Sequence, residues 1–285
     1  MKDCTQNTDS IIFNNISSDN FGLIAVYSDA QTERNTGLTR EIKKSETNLS
    51  RIIANHYGAQ YTDVIEFEFM LMHKNLNEDF TITESRAVNK WLQPDGYCHS
   101  LIFNTDQNVE NIHYMATCSS ITDIYYKGHN CKRVHFMCDS AFGYSPEYRR
   151  IIVGDANGVD FDIMNDSDEY FCYPTIKITC ASSYNDEITI INHTDNESFV
   201  SFNFNEVPVV QDKKILIVDS SKLRIYDGNG KPVPLFKIGW QIFKDRLFEN
   251  FYWLRLVKDL NDLSLVGDCN LEITYQFIRK AGQII

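Results

Sequence analysis

The sequence lacks every element that would take the chain into or across a membrane. No apolar run approaches the roughly 18 residues of a spanning helix, and the start of the chain, from Met1 to Thr5, is too polar for a signal peptide. We therefore expect a protein that is made and folded in a cytoplasm. The 8 cysteines are scattered and form no dense disulfide framework, so we interpret them as small, reduced core residues.

Basic residues are also scarce. Lys and Arg number 27 against 39 Asp and Glu, which gives a formal net charge of −12, whereas a surface that binds nucleic acid normally carries a basic patch. The sequence contains no Gly-x-Ser-x-Gly, no His-Glu-x-x-His, no phosphate-cradling glycine-rich loop and no dinucleotide fingerprint. We predict a protein that has no enzyme activity, no cofactor and no nucleic-acid partner.

Aromatic residues and strict alternation are abundant. The 285 residues are 43% apolar and 13% aromatic, enough for two domains that each have a core and a composition that favours strands. The alternation is clearest near the end, where Leu271, Ile273, Tyr275 and Phe277 share one face of a run. This pattern predicts a half-buried antiparallel strand.

The first domain is predicted over residues 1–145 as a β-sheet with one α-helix. In the run from Tyr61 to His73, apolar and acidic residues alternate as in a strand. The helix follows a capping box at Thr81 and ends before Pro94. Four strands are then expected, at 97–104, 111–118, 121–127 and 131–138.

The second domain is predicted over residues 146–285 as a β-sandwich. Seven or more short apolar runs are separated by turn clusters such as Asp227-Gly228-Asn229-Gly230. Within its last part we place a turn at Asn261-Asp262. The stretch Phe243 to Phe251 is compatible with a helical turn or a bent loop. The whole chain is thus expected to be mainly β.

Three sets of residues could carry chemistry, and each also has a structural interpretation. Carboxylates could form a glycosidase pair and aromatic rings could stack on sugars, but abundance alone does not select either. His and Cys are zinc ligands, but on one extended strand Cys138 would point away from the other three. We therefore predict no metal site and no catalytic residue, and leave ligand-binding residues unknown. The residues concerned are His129, Cys131, His135 and Cys138; Asp155, Asp160, Asp219 and Asp227; and Tyr226, Trp240 and Trp253.

Four segments resemble siphophage distal tail proteins and follow that family's order along nearly the whole chain. The last is the most extensive: an aromatic-rich strand, an Asn-Asp turn, a short strand ending in Gly-x-Cys, and a closing strand followed by Arg-Lys. The others are similar to the family's opening strand and turn, its helix-to-strand unit, and the aromatic-and-serine junction between its two domains. The four segments are Phe13 to Leu23, Trp91 to Leu101, Phe136 to Pro146 and Tyr252 to Lys280.

The resemblance implies a virion structural protein of a phage tail tip, made in the cytoplasm of a host bacterium. It would form a hexameric hub whose N-terminal domain builds the ring and whose C-terminal domain is a galectin-like or carbohydrate-module-like sandwich. Its partners would be the tail tube protein, a tip or fibre protein and receptor-binding proteins, with no membrane insertion and a host glycan as a further option. The alternatives are a carbohydrate-binding module and an unrecognised hydrolase.

Two features bear on ring formation. The stretch from Ala30 to Asn55 is polar and too long for a plain hairpin loop, so it is either an arm that packs on a partner or a mobile excursion. On the strand before the helix, Val64, Met70 and Met72 share the second face with Glu66 and Glu68. We expect these apolar positions to be exposed and covered by a neighbouring subunit.

Overall fold

The computed structural model describes residues 10–26, 63–106, 108–126, 128–205, 207–233 and 252–282, and the backbone of residues 40–44 and 56–61. Two compact units divide the chain: the first runs to Pro146 and resumes at Arg279, and the second spans Glu147–Ile278. Antiparallel strands dominate both units, so the prediction of a mainly β chain is confirmed. No helix of the described residues is long and apolar enough to cross a membrane.

The first unit is built on one large antiparallel sheet with strand order β2-β1-β7-β8-β9-β6-β3, and β10 pairs with the start of β8. Strands β4 and β5 form a separate hairpin. The strands are β1 (Ser10–Phe13), β2 (Ile16–Ser17), β3 (Leu23–Val26), β4 (Arg40–Lys44), β5 (His56–Tyr61), β6 (Glu66–His73), β7 (His99–Asn104), β8 (His113–Tyr126), β9 (His129–Cys138) and β10 (Gly143–Tyr144). The hairpin includes part of the predicted arm, the rest of which lies outside the described residues.

Helix α1 (Ile82–Leu92) begins with the capping box that the sequence predicts. The Thr81 hydroxyl accepts a hydrogen bond from the Glu84 backbone N–H at 3.2 Å, and the Thr81 backbone N–H donates to the Glu84 carboxylate at 2.8 Å. Val88, Trp91 and Leu92 are buried against the main sheet's core, and the Trp91 indole N–H donates to the Phe13 carbonyl at 3.0 Å. Trp91 is therefore a core residue.

The second face of the main sheet carries a smaller apolar cluster. Met70 and Met72 are only 4% and 6% exposed. The register places Val26 opposite Met70 and Ile24 opposite Met72, and Cys131 joins them from β9. The expectation that Met70 and Met72 are exposed is wrong, because alternate positions on three paired strands bring apolar side chains together within the chain.

Strand β8 is one continuous strand, so the predicted separation into strands at 111–118 and 121–127 is wrong. Ser119 and Ser120 lie between the two predicted strands. The register shifts there by a β-bulge, and pairing with β9 continues. The Ser119 hydroxyl lies 2.5 Å from Nδ1 of His135, so the extra residue bonds to the neighbouring strand.

The second unit is a β-sandwich. One sheet has the order β11-β22-β14-β18-β17 with β19 beside β18, the other has the order β12-β21-β15-β16, and β13 pairs with β20. Buried side chains from both sheets form one core. The strands are β11 (Tyr148–Val153), β12 (Val159–Asn165), β13 (Phe171–Cys172), β14 (Thr175–Ala181), β15 (Glu187–Asn192), β16 (Ser198–Asn203), β17 (Val209–Val210), β18 (Lys213–Asp219), β19 (Arg224–Asp227), β20 (Leu256–Val257), β21 (Asp259–Val266) and β22 (Asn270–Tyr275). The last strand, β23 (Ile278–Arg279), pairs with β10 in the sheet of the first unit.

The end of the chain departs from the sequence analysis in two respects. The turn predicted at Asn261-Asp262 is wrong, since both residues lie inside β21. The chain bends just before this strand, at Lys258, and the next residue, Asp259, has a φ of 72°. Asn261 is fully buried and its side-chain amide exchanges two hydrogen bonds of 2.8 Å with the Val257 backbone. The residues after Ile278 belong to the first unit, although the sequence assigned them to the second domain. The stretch Phe243 to Phe251 lies outside the described residues.

Candidate functional site

The His and Cys residues of β9 do not converge. Cys131 lies in the small apolar cluster and Cys138 in the main core, on opposite faces of the sheet. His129 Nδ1 lies 2.8 Å from the Leu76 carbonyl, and His135 Nε2 lies 3.2 Å from the Glu66 carboxylate. Within the described residues, no group of three His, Cys, Asp or Glu side chains is placed to hold a metal ion. The absence of zinc from the purified protein stays a prediction.

Each of the four aspartates singled out in the sequence accepts a hydrogen bond from a nearby N–H or hydroxyl group. Asp155 accepts a hydrogen bond from the Asn157 N–H at 2.6 Å, and Asp227 accepts from the Asn229 N–H at 2.9 Å. The other two accept from side chains: Asp219 from the hydroxyl of Ser221 at 2.7 Å and Asp160 from the hydroxyl of Ser264 at 2.6 Å. These bonds shape turns and join strands.

The predicted aromatic platforms are placed differently from one another. Trp253 is partly buried against the sandwich core, in agreement with its interpretation as a core residue. Tyr226 is half-buried in β19, opposite Ile217. Trp240 lies outside the described residues.

The structure shows another aromatic surface that the sequence analysis missed. Tyr170 is 62% exposed and Tyr173 is 44% exposed, with Phe171 between them at ring-centroid distances of 4.7 and 6.3 Å. The Arg255 guanidinium lies 4.1 Å from the centre of the Phe171 ring, within the range of a cation–π contact. We call Tyr170, Phe171, Tyr173 and Arg255 the aromatic surface. Its sequence signal is a run of aromatics around the inward-facing Cys172.

Arg255 is held in place by a nearly buried carboxylate. Asp195 is 4% exposed and accepts hydrogen bonds from Arg255 Nε at 2.7 Å, from Arg255 Nη2 at 3.1 Å and from the Tyr252 hydroxyl at 2.8 Å. The hydrogen bonds from Arg255 hold the pKa of Asp195 below its ordinary value, against the opposing effect of burial. Burial and the Asp195 charge raise the pKa of Tyr252.

Three fully buried asparagines fix the backbone around Arg255. The Asn192 amide donates to the Arg255 carbonyl and the Asn165 amide to the Leu256 carbonyl, both at 2.9 Å. The third, Asn261, bonds to Val257 on both its N–H and its carbonyl. Each asparagine has one apolar core residue two positions away in its strand, so its side chain lies on the core side of that strand: these residues are Ile163, Ile190 and Leu263. The aromatic surface therefore rests on rigid backbone.

A chain of hydrogen bonds on the outer face of the four-stranded sheet has the composition of a catalytic triad. His193 lies 2.5 Å from Glu197 through Nδ1 and 2.6 Å from the Ser264 hydroxyl through Nε2. The hydrogen bond to Glu197 raises the pKa of His193, which favours the imidazolium form. In that form both ring N–H groups donate, and the Ser264 hydroxyl donates onward to Asp160.

This arrangement does not activate the serine. A serine nucleophile must donate its proton to a neutral imidazole, whereas here Ser264 accepts from His193 and donates to a carboxylate. Ser264 is also only 8% exposed in the middle of a strand, so a substrate carbonyl has little access to it. The chain of bonds joins the loop after β15 to β21 and β12, which is a structural role.

The first unit exposes a charged area on the second face of its main sheet. His135 contacts Glu66 at 3.2 Å and Arg133 contacts Glu68 at 3.9 Å, and Met137 beside them is 41% exposed. We call these five residues the charged face. Surface ion pairs of this kind contribute little stability.

Family profiles and solved structures place the chain among phage tail components. The phage tail protein N-terminal domain matches residues 6–140, and the phage tail C-terminal domain matches residues 142–275. The Dit protein of phage SPP1, described as a paradigm of the hub adsorption apparatus in phages that infect Gram-positive bacteria, aligns with a TM-score of 0.57 at 14% identity, over 94% of this chain and 99% of that chain.

A chain of the phage P2 baseplate, in its activated conformation with calcium, aligns with a TM-score of 0.54 at 11% identity, over 94% of this chain and 97% of that chain. Among curated protein sequences, none matches. At these identities the solved structures show a shared fold.

Proposed function

Because this chain belongs to the family of phage tail proteins, we propose that it is the distal tail protein of a siphophage, a hexameric hub between the tail tube and the tip. In this proposal the first unit builds the ring and the sandwich faces outward. The tip or fibre protein and the receptor-binding proteins attach to the hub. Its function is structural and needs no catalytic residue.

One observation carries the proposal: the fold of the SPP1 hub protein extends over 94% of this chain and 99% of that chain. A shared sandwich alone would suit many binding modules, since one fold hosts many functions. A match that includes both units and nearly the whole length of each chain favours a protein with the same domain organisation. A structural role also agrees with the hydrogen bonds of Asp155, Asp160 and Asp227, which the sequence offered as candidates for catalysis. Their carboxylates accept hydrogen bonds within turns and between strands.

Ring symmetry supplies the mechanism. A closed ring presents each surface of the subunit once per copy, so six weak contacts to a partner act together as one firm attachment. The charged face of the first unit suits a contact between copies, because opposite charges set register while the exposed Met137 adds apolar area.

The test is the mass of the assembly. Light scattering at high protein concentration in about 0.15 M salt, where the Debye length is about 8 Å, should show a species close to six times 33.0 kDa. Salt matters because copies that each carry a charge of −12 repel one another. A strict monomer at every concentration, and also with the tip protein encoded beside it, would refute the hub.

The arm can be tested separately. Deleting residues 32–54 should shift the ring toward monomer, but it also removes β4 and leaves β5 without its partner. Replacing residues 45–55 with Asn-Gly keeps Lys44 opposite His56 and closes the hairpin with a favoured two-residue turn. If the arm contacts a neighbour, both variants lose the ring while their melting curves still show two folded units.

A second function, glycan binding, is favoured by the aromatic surface. Exposed Tyr170 and Tyr173 offer ring faces on which a sugar can stack, on backbone that three asparagines hold rigid. A glycan array should report binding that Tyr170→Ala and Tyr173→Ala remove. Tyr125→Ala, which changes a tyrosine of the first unit that is 73% exposed, is the control. An array without any signal for the intact protein would leave the surface to a protein partner.

A further inference from the structure

Two cysteines that are far apart in sequence face each other across paired strands of the sandwich. Strands β14 and β22 are antiparallel with Thr179 opposite Asn270, so the next pair along the ladder is Cys180 and Cys269. Both side chains point inward and are 3% and 7% exposed. The register alone therefore brings two buried thiols together.

The pair has the geometry of a cross-strand disulfide. The Cys269 carbonyl accepts a hydrogen bond from the Gly154 N–H at 2.8 Å, which directs the backbone polar groups of Cys269 toward β11 and away from β14. Cys180 and Cys269 thus form a non-hydrogen-bonded pair, whose Cα atoms are about 4.5 Å apart and whose side chains approach closely. Disulfides bridge Cα separations of about 4.4–6.8 Å, so no backbone movement is needed.

The two thiols already interact. A hydrogen bond between them lowers the pKa of Cys269 and raises the pKa of Cys180. Cys172, another buried cysteine of the same core, has no such partner: burial raises its pKa, and its thiol donates to the Gln276 carbonyl.

The pair also has access to solvent. A surface cavity of about 430 Å³ is lined by Cys180 and Cys269 together with Gly154, Asp212, Asp268 and Asn270. This cavity is the route by which an external disulfide would reach the pair. Buried cysteines elsewhere in the core are not among the residues that line this cavity.

We propose that Cys180 and Cys269 form a latent disulfide, which closes when the protein leaves the reducing cytoplasm. The inference depends on the chain being a phage tail protein and is independent of the hexameric hub. One of the two cysteines attacks a low-molecular-weight disulfide as its thiolate, forms a mixed disulfide and releases one external thiolate. The other cysteine then loses its proton, attacks the protein sulfur of the mixed disulfide and displaces the second external thiolate. Two protein thiols are oxidised while one external disulfide is reduced to two thiols.

The disulfide would join β22 to β14 and close a covalent loop that contains the chain between Cys180 and Cys269. A cross-link over such a loop restricts the unfolded chain, so the oxidised sandwich should melt roughly 10 °C higher than the reduced one. The particle would then be assembled from reduced subunits and strengthened after release from the cell.

The test uses the full chain purified under reducing conditions and then exposed to glutathione disulfide. Peptide mapping should identify a Cys180–Cys269 bridge, with a mass loss of two hydrogen atoms and two fewer free thiols per chain. Cys180→Ser and Cys269→Ser should each fail to form the bridge, because one of its two thiols is missing. Cys172→Ser should form the bridge as the natural chain does.

Two results would overturn the proposal. One is full retention of both thiols under oxidant concentrations that oxidise exposed cysteines. The other is a bridge that joins different cysteines while Cys180 and Cys269 stay reduced. The melting temperature of the oxidised Cys172→Ser chain, compared with that of Cys180→Ser, separates the effect of the bridge from the effect of losing a buried thiol.

Discussion

Removing the charge of Asp195 should destabilise the sandwich strongly while leaving the first unit intact. Asp195→Asn keeps the shape of the side chain but replaces one acceptor oxygen with an NH₂ group that faces donors. The aspartate is 4% exposed and accepts three hydrogen bonds from Arg255 and Tyr252. The amide keeps one acceptor oxygen, so the substitution removes the negative charge beside the guanidinium and leaves one or two of the three donors facing an NH₂ group.

The magnitude follows from the exposure of the two partners. Breaking a buried ion pair costs about 3–5 kcal/mol, but the Arg255 side chain is 34% exposed and can be partly rehydrated. We therefore expect a loss of about 2–3 kcal/mol in the free energy of unfolding. For a unit of this size that corresponds to a fall of roughly 6–12 °C in melting temperature. Calorimetry that resolves the two transitions is the assay.

The pH dependence gives a second test of the same bond. The pKa of folded Asp195 is lowered, so its stabilising contribution is present above the unfolded pKa of about 3.9 and is lost as the pH falls through the folded value. The stability gap between the natural chain and Asp195→Asn should therefore close in acid. Glu272→Gln, which breaks the exposed pair with Arg149 at 2.6 Å, should change little and serves as the control. An equal, small effect of both substitutions would refute the reasoning.

Three further substitutions test other parts of the sandwich. Ile273→Asp should unfold it and spare the first unit, because Ile273 is fully buried and an unpaired carboxylate there costs several kcal/mol against a net stability of about 5–15; two unchanged melting transitions would contradict the face assigned to β22. Gly267→Ala should cost about 2 kcal/mol or more, since φ is 122° and the new Cβ would lie 2.4 Å from Ile188, whereas Gly96→Ala meets nothing within 4 Å and should be neutral in thermal melts. His193→Gln should destabilise the chain at low pH only: the folded pKa of His193 is raised, so its contribution is present below the unfolded pKa of 6.5 and disappears as the pH rises through the folded value, which denaturant titrations from acid to alkaline pH would measure.

Local patterns predicted the local structure well. The alternation in β22 and in the first half of β6, and the capping box at Thr81, each depend on neighbours within a few residues, and the structure places them as expected. The break expected between the strands at 111–118 and 121–127 was wrong. Paired serines favour turns when isolated, but here a neighbouring strand supplies bonds that turn the pair into a bulge.

Features that depend on distant pairing could not be found from the sequence. Met70 is buried because Val26 of β3 lies opposite it, and Cys180 meets Cys269 because of the register of β14 against β22. The aromatic surface requires Arg255 to reach Phe171 from another strand. In each case the sequence shows suitable residue types, but only long-range strand pairing decides which of them meet.

The buried asparagines fix the backbone that carries Arg255 of the aromatic surface. An asparagine that is fully buried is costly unless its amide is satisfied, and Asn165, Asn192 and Asn261 all use theirs on the segment 255–257. The surface above that segment therefore loses little conformational freedom when a partner binds. In the proposed ring this rigidity acts six times over, since each copy holds its aromatic residues in the same orientation. Contacts that are individually too weak to persist can then hold a tip protein, provided that the partner's own spacing matches the ring.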